Sequence, residues 1–281
     1  MSSLRIVSLV PSITELLLDL GLAPYVVGRT GFCVHPANLV GSITKVGGTK
    51  AVQLDKIQAL VPSHVVVNVD ENERPAVEAL KQWVPRIVVT HPQGPLDNLA
   101  LIDQMVDAFK DTDGLHPSHR AQLCGKAAQL KTALTQRLMQ LQHRQLSTTE
   151  QRVLYLIWRD PWMTVARDTY ISRMLALIGW QTWPAVHGGN GIDTPGASRY
   201  PVLQGDEAWL KQIDKVLLSS EPYCFGMQHM LEVQDWIRSQ GADTQVQLVD
   251  GELLSWYGSR AVAGLDYLGA LLSGAAASSP E

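Results

Sequence analysis

Cysteine is scarce in this chain of 281 residues, with only Cys33, Cys124 and Cys224. An odd number without framework spacing excludes a disulfide scaffold and leans toward a reducing compartment. Basic residues are outnumbered, 23 against 27 acidic, for a net charge of -4. A general nucleic-acid binder needs a basic face, so none is expected here. Apolar runs stay far below the roughly eighteen residues that cross a bilayer, so no membrane span is expected. Also missing are G-x-S-x-G, a P-loop, a G-x-G-x-x-G after a strand and H-E-x-x-H, and the chain is not expected to be an enzyme. The N-terminus lacks a charged n-region, a long h-region and a small-residue cleavage site, so it is read as something other than a precursor. Localisation is then periplasmic if a leader has been removed and cytoplasmic if Met1 is the native start.

What is present is a globular composition, 46% hydrophobic and 18% charged, on a length that suits two lobes with separate cores. Arg5 to Leu22 reads as a buried strand running through Pro-Ser-Ile-Thr into an amphipathic helix. Ser12 stands three residues before Glu15, the spacing of a capping box, and Gly21 stops the helix. Further strands are expected at Val26 to Gly28, His64 to Val69 and Arg86 to Thr90, alternating with helices at Leu54 to Leu60, Arg74 to Trp83 and Leu96 to Lys110. That alternation predicts a parallel sheet with helices on its faces.

From Pro117 to Leu146 the apolar residues Leu123, Ala127, Leu130, Leu134, Leu138 and Leu141 recur at three- and four-residue spacing. This predicts about 45 Å of continuous helix. A second strand-helix series follows: strands at Val153 to Trp158, Val216 to Ser220 and Gln247 to Val249, with helices at Thr169 to Ile178, Gln228 to Ser239 and Ser259 to Leu272. Gly188 to Pro201 reads as irregular. The expected organisation is an α/β lobe over residues 1–112, a linking helix over 113–147, a second α/β lobe over 148–272 and a disordered tail over 273–281.

The opening R-I-V-S-L-V-P-S-I-T-E-L-L-L-D-L-G-L resembles the start of class III solute-binding proteins, the cobalamin, haem and ferric-siderophore receptors of ABC importers in the helical-backbone metal receptor superfamily. The likeness continues in KVGGTKAVQLDKIQALVPSHVVVNV, Lys45 to Val69, and in LLSSEPYCF and LVDGELLSWYGSR. It implies two Rossmann-like lobes with parallel sheets, joined by one long backbone helix, with a ligand cleft between them. It also implies an acidic residue on each lobe that docks onto an ABC permease. Glu71 or Glu73 is the nearest match on the first lobe and Glu221 on the second.

Ligand residues belong in the loops where strands end. Cys33 and His35 are two apart, so on an extended stretch they share a side, and thiolate with imidazole suits a metal; the alternative is a buried thiol and a hydrogen-bonded imidazole. Lys50 follows a glycine pair that lets a ligand approach, or else marks a bare turn. Asn68 ends a strand that is apolar on both faces and falls inside the implied cleft. Trp158, Arg159 and Trp162 offer an aromatic wall with a cation, the surface that a corrin, porphyrin or aryl siderophore needs; otherwise Trp158 completes the core and Arg159 pairs with Asp160. Tyr223, Trp256, Tyr257 and Arg260 complete the set. Thr49 and Lys50 stand where cobalamin receptors carry a tryptophan, a departure that weakens cobalamin in particular.

The leading expectation is a monomeric binding protein that holds a large metal-bearing ligand for ABC import. The ligand would be a corrinoid, haem, ferric siderophore or metal ion, with no covalent cofactor. The alternative is a cytoplasmic metal or corrinoid carrier or sensor of the same fold with no transporter.

Overall fold

Strand β1 (Ile6–Ser8) passes through Leu9 and Val10 into helix α1 (Pro11–Asp19), whose first residue is proline. Proline suits that position because its fixed φ is already helical and the missing N–H has no partner to lose. The expected capping box does not form: Val10 is the N-cap, with no side-chain hydrogen bond. The structure is a computed structural model and describes residues 4–145, 149–188, 198–242 and 244–274.

The chain divides into two compact units. The first holds residues up to Pro92, Leu96–Leu134 and Tyr257–Arg260; the second holds Gln93–Pro95, Thr135–Trp256 and the chain from Ala261 onward. The first unit continues with β2 (Val26–Arg29), α2 (Ala37–Val40), β3 (Thr44–Lys45), α3 (Leu54–Ala59), β4 (His64–Asn68), α4 (Arg74–Lys81), β5 (Arg86–Thr90) and α5 (Asp97–Phe109). Its five strands lie in the order β3-β2-β1-β4-β5, all parallel. Both faces of β4 are covered, which is why His64 to Asn68 is buried throughout and its middle, Val65 to Val67, reads as an unbroken apolar run rather than an alternation. Val7, Leu9, Val46, Ile57, Val65, Val67 and Leu80 form the core, each fully buried aliphatic side chain contributing about 1.5–3 kcal/mol.

Helix α6 (Pro117–Gln145) runs from one unit into the other. Pro117 to Leu134 belongs to the first and Thr135 to Gln145 to the second. Its buried stripe is Leu123, Ala127, Leu134, Leu138 and Leu141, the spacing that marked the helix in the sequence. The second unit then has β6 (Gln151–Leu156), α7 (Tyr170–Ala176), β7 (Trp180–Thr182), β8 (Lys215–Ser219), α8 (Met227–Ser239), β9 (Gln245–Val249), α9 (Gly251–Ser255) and α10 (Ala261–Leu272). Its parallel strands lie in the order β7-β6-β8-β9.

The fold is therefore α/β with two parallel sheets and one long helix linking the units along the chain. The division by contacts departs from the expected linear one, because Gln93–Pro95 and Tyr257–Arg260 each pack with the unit opposite to their neighbours in sequence. β3, β7, α2 and α9 are too short for periodicity to show. Within the expected tail, Ser273 and Gly274 extend the last helix through hydrogen bonds, and residues 275–281 lie outside the described residues. So do 189–197 of the segment expected to be irregular.

Candidate functional site

In a sheet whose connections run outward from a central strand pair, loops diverge at the carboxyl ends of that pair, and a crevice for ligands opens there. In the first unit the pair is β1 and β4; in the second it is β6 and β8.

At the end of β4, Asn68 and Asn72 bind the loops together. The Asn68 N–H donates to Asn72 Oδ1 at 2.8 Å, and the Asp70 N–H donates to Asn68 Oδ1 at 2.8 Å. Asn72 Nδ2 donates to the Leu9 carbonyl at 3.1 Å and the Thr49 carbonyl at 2.9 Å. Asn68, 3% exposed, is thus spent on the protein itself, and Asn72, which the sequence analysis did not single out, ties the end of β1 to the glycine turn. In that turn Gly47 and Val52 form an antiparallel bridge that leaves Lys50 exposed. Gly47 has φ +107°, and a Cβ there would come within 2.5 Å of the Ala51 carbonyl oxygen, so no other residue fits. Phe32, 63% exposed, lies beside Gly48.

Cys33 and His35, nominated together for a metal, sit in different surroundings. Cys33 is wholly buried, its Sγ 3.1 Å from both Thr14 Oγ1 and Thr30 Oγ1, while His35 is half-buried. Loss of solvent pushes the thiol up from its ordinary value despite those two hydroxyls. Among the described residues no group of three or more His, Cys, Asp or Glu could hold a metal ion.

Three of the nominated rim residues make hydrogen bonds within the protein. Tyr257, 8% exposed, donates its hydroxyl to Glu71 Oε1 at 2.6 Å. Burial and the Glu71 charge both push its phenol well above the ordinary tyrosine value. Arg260 grips Glu15 with two hydrogen bonds, which explains why Glu15 serves no cap. In the second unit, Trp256 Nε1 and Ser255 Oγ donate to Glu221 Oε1 at 2.8 and 2.7 Å. Burial raises the Glu221 carboxyl above its usual range, with those two donors opposing the rise. Of the three acids nominated for docking, Glu73 is the exposed one, at the N-cap of α4, whereas Glu71 and Glu221 are half-buried and bonded inward.

The two tryptophans after β6, nominated together for an aromatic wall, are separated by the fold, and it is not Trp158 that joins the core. Trp162 packs against the second unit's core, stacked 6.0 Å from Phe225 at 8° and 6.1 Å from Trp236 at 3°. Trp158 is the one in solvent, 40% exposed. Asp160, at φ +60°, folds the chain back so that Trp158 pairs with Met163. Tyr223, on the loop after β8, meets the Trp158 ring edge-on at 5.7 Å. Arg159 ion-pairs with Glu232 at 2.6 Å as well as Asp160 at 3.2 Å, and its guanidinium lies 5.7 Å from the Trp162 ring centre. Tyr223 is supported by His229, whose Nε2 lies 3.1 Å from its hydroxyl. His229 went unremarked in the sequence, although its place three residues into a helix that follows Gly226 is one from which a side chain reaches back to the N-cap.

The rim of the second unit therefore offers an aromatic face and a phenol at the ends of its two central strands, beside an arginine already paired with two carboxylates. That of the first offers an exposed phenylalanine and a lysine beside a glycine turn. Such a set binds and orients; no pair of groups among these is arranged as nucleophile and base.

The family model described as periplasmic binding protein matches residues 6–199. No curated protein matches the chain. Among solved structures, the periplasmic vitamin B12 binding protein BtuF of Vibrio cholerae is similar with a TM-score of 0.75 at 18% identity, over 96% of this chain and 97% of that one. The periplasmic heme-binding protein RhuT from Roseiflexus sp. RS-1 gives 0.73 at 20%, over 98% and 100%. The periplasmic heme binding protein HutB of Vibrio cholerae gives 0.72 at 23%, over 96% and 99%. At these identities the likeness is one of fold.

Proposed function

From the premise that the chain belongs to the periplasmic binding protein family, we propose that it is a solute-binding protein that captures a flat, metal-bearing macrocycle or siderophore and delivers it to an ABC permease. The observation that carries this reading is Trp158, a large aromatic side chain left 40% exposed at the end of a central strand and held edge-on by Tyr223. Covering about 60 Å² of such a surface with a ligand ring would add about 1.5 kcal/mol of binding at 25 cal/mol per Å². Offset stacking adds to that. Arg159, over the neighbouring Trp162 ring, is already paired with Glu232 and Asp160, so the aromatic surface rather than a free charge carries the reading. On the other unit Phe32 and Lys50 are both exposed near the glycine turn. The fold-level relatives that bind vitamin B12 and haem support a ligand of this shape, and the absence of a closed His, Cys or carboxylate set among the described residues favours it over a bare metal ion. The exposed Glu73 is the acid we assign to permease docking.

Equilibrium dialysis of the purified protein against hemin, cyanocobalamin and a ferric hydroxamate siderophore tests the reading. Saturable one-to-one binding of one of the three at micromolar or lower concentration supports it. Failure of all three sinks it, whether or not a free divalent cation binds instead.

A further inference from the structure

The Gly226 N–H points at His229 Nδ1 at 3.0 Å. A backbone N–H can only donate, so Nδ1 must be the acceptor and carries no proton. The ring is therefore neutral with its hydrogen on Nε2, and Nε2 lies 3.1 Å from Tyr223 Oη. His229 fills that contact as a donor. The phenol oxygen then accepts, and its own hydrogen cannot be directed back at His229. The ring carrying that hydroxyl stands edge-on to the exposed Trp158 and 4.7 Å from Phe225, so it is held from two sides.

Resting on the reading of a ligand stacked at Trp158, we infer that His229 is a positioning residue that fixes Tyr223 as a hydrogen-bond donor toward the ligand, and so selects a ligand that brings an acceptor oxygen to this edge. Proton direction runs one way along the chain Gly226 N–H to His229, His229 N–H to Tyr223, Tyr223 O–H to ligand. A carboxylate or amide carbonyl on the rim of a macrocycle, or a hydroxamate oxygen, meets the requirement; a ligand that offers only donors there leaves the phenol hydrogen unused and is bound less tightly.

The test is a double-mutant cycle on whichever of hemin, cyanocobalamin or ferric hydroxamate the wild-type protein binds, with folding checked by circular dichroism. Tyr223→Phe is expected to weaken binding about three- to tenfold, the range of one hydrogen bond. His229→Leu should weaken it similarly, and His229→Gln, whose amide can both accept from Gly226 and donate to Tyr223, should recover most of the loss. In the Tyr223→Phe background His229→Leu should cost nothing further, which a general packing role for His229 would not produce. Equal losses from His229→Leu with and without the tyrosine hydroxyl overturn the inference and leave the binding reading intact. So does a phenolate-to-iron charge-transfer band that disappears in Tyr223→Phe, since a phenolate has no hydrogen to donate. If the wild type binds none of the three, the reading falls and the inference with it.

Discussion

Arg260 and Glu15, 245 residues apart in sequence, are joined by two hydrogen bonds, Nε to Oε2 at 2.8 Å and Nη2 to Oε1 at 2.7 Å. Both side chains are mostly buried, at 17% and 13% exposure. The fork geometry closes the short 3-10 turn Gly258–Arg260 against α1, and the Gly258 N–H donates to Asn98 Oδ1 nearby at 2.6 Å. A segment near the end of the chain is thus part of the first unit's fold.

Removing one partner of such a pair leaves the other charge desolvated, so Arg260→Ala is expected to lower stability by about 2–4 kcal/mol. Arg260→Lys should not restore it, because an ammonium cannot make both bonds in the same plane. Urea midpoints for the two variants check this. A loss under about 0.5 kcal/mol for Arg260→Ala would mean the pair behaves as a solvated surface bridge.

Glu221 separates an acceptor role from a charge role. Its Oε1 receives the Trp256 indole N–H and the Ser255 hydroxyl, and a glutamine oxygen could receive both. Because burial raises the folded carboxyl's pKa, the stability Glu221 contributes is fully present below its unfolded value and is lost as pH rises through the folded one. At neutral pH Glu221→Gln is therefore expected to be neutral or stabilising. Glu221→Ala, which leaves a buried indole donor without its acceptor, should cost about 1–3 kcal/mol. Thermal melts at pH 7 distinguish the two; equal destabilisation by both variants would show that the charge itself is needed.

His64 sets an acid limit on the first unit. It is 5% exposed, its Nδ1 lies 3.0 Å from Ser63 Oγ, and burial, with a smaller contribution from Arg86, lowers its pKa to about 4. Between about pH 6.5 and pH 4 the unfolded chain takes up a proton that the folded chain refuses, so stability falls as pH falls across that window. His64→Leu should shrink the difference in urea midpoint between pH 7 and pH 4.5. An unchanged difference would assign the acid sensitivity to other groups.

The fold was legible because its signals are local and repeated. The valine run of β4, the three- and four-residue stripe of α6 and the strand-turn-helix opening each span enough residues for periodicity to be read. The site was less so. Trp158 and Trp162 stand on either side of the Asp160-Pro161 turn, and nothing in their spacing says which one the fold-back turns into the aromatic stack with Phe225 and Trp236. Glu15 fits a capping box by spacing, but its partner is Arg260, a contact that no local pattern encodes. Cys33 and His35 look paired in an extended chain, whereas Thr14 and Thr30, brought from α1 and the end of β2, enclose the thiol.

The central claim, that the exposed Trp158 face takes up a flat metal-bearing ligand, is tested most directly by fluorescence titration of wild type and Trp158→Phe with hemin, cyanocobalamin and a ferric hydroxamate. The account predicts saturable quenching by one of them, with affinity retained to within about tenfold and a smaller quenched amplitude in Trp158→Phe. Saturable quenching with the same amplitude in both proteins, or none by any of the three ligands, would contradict it.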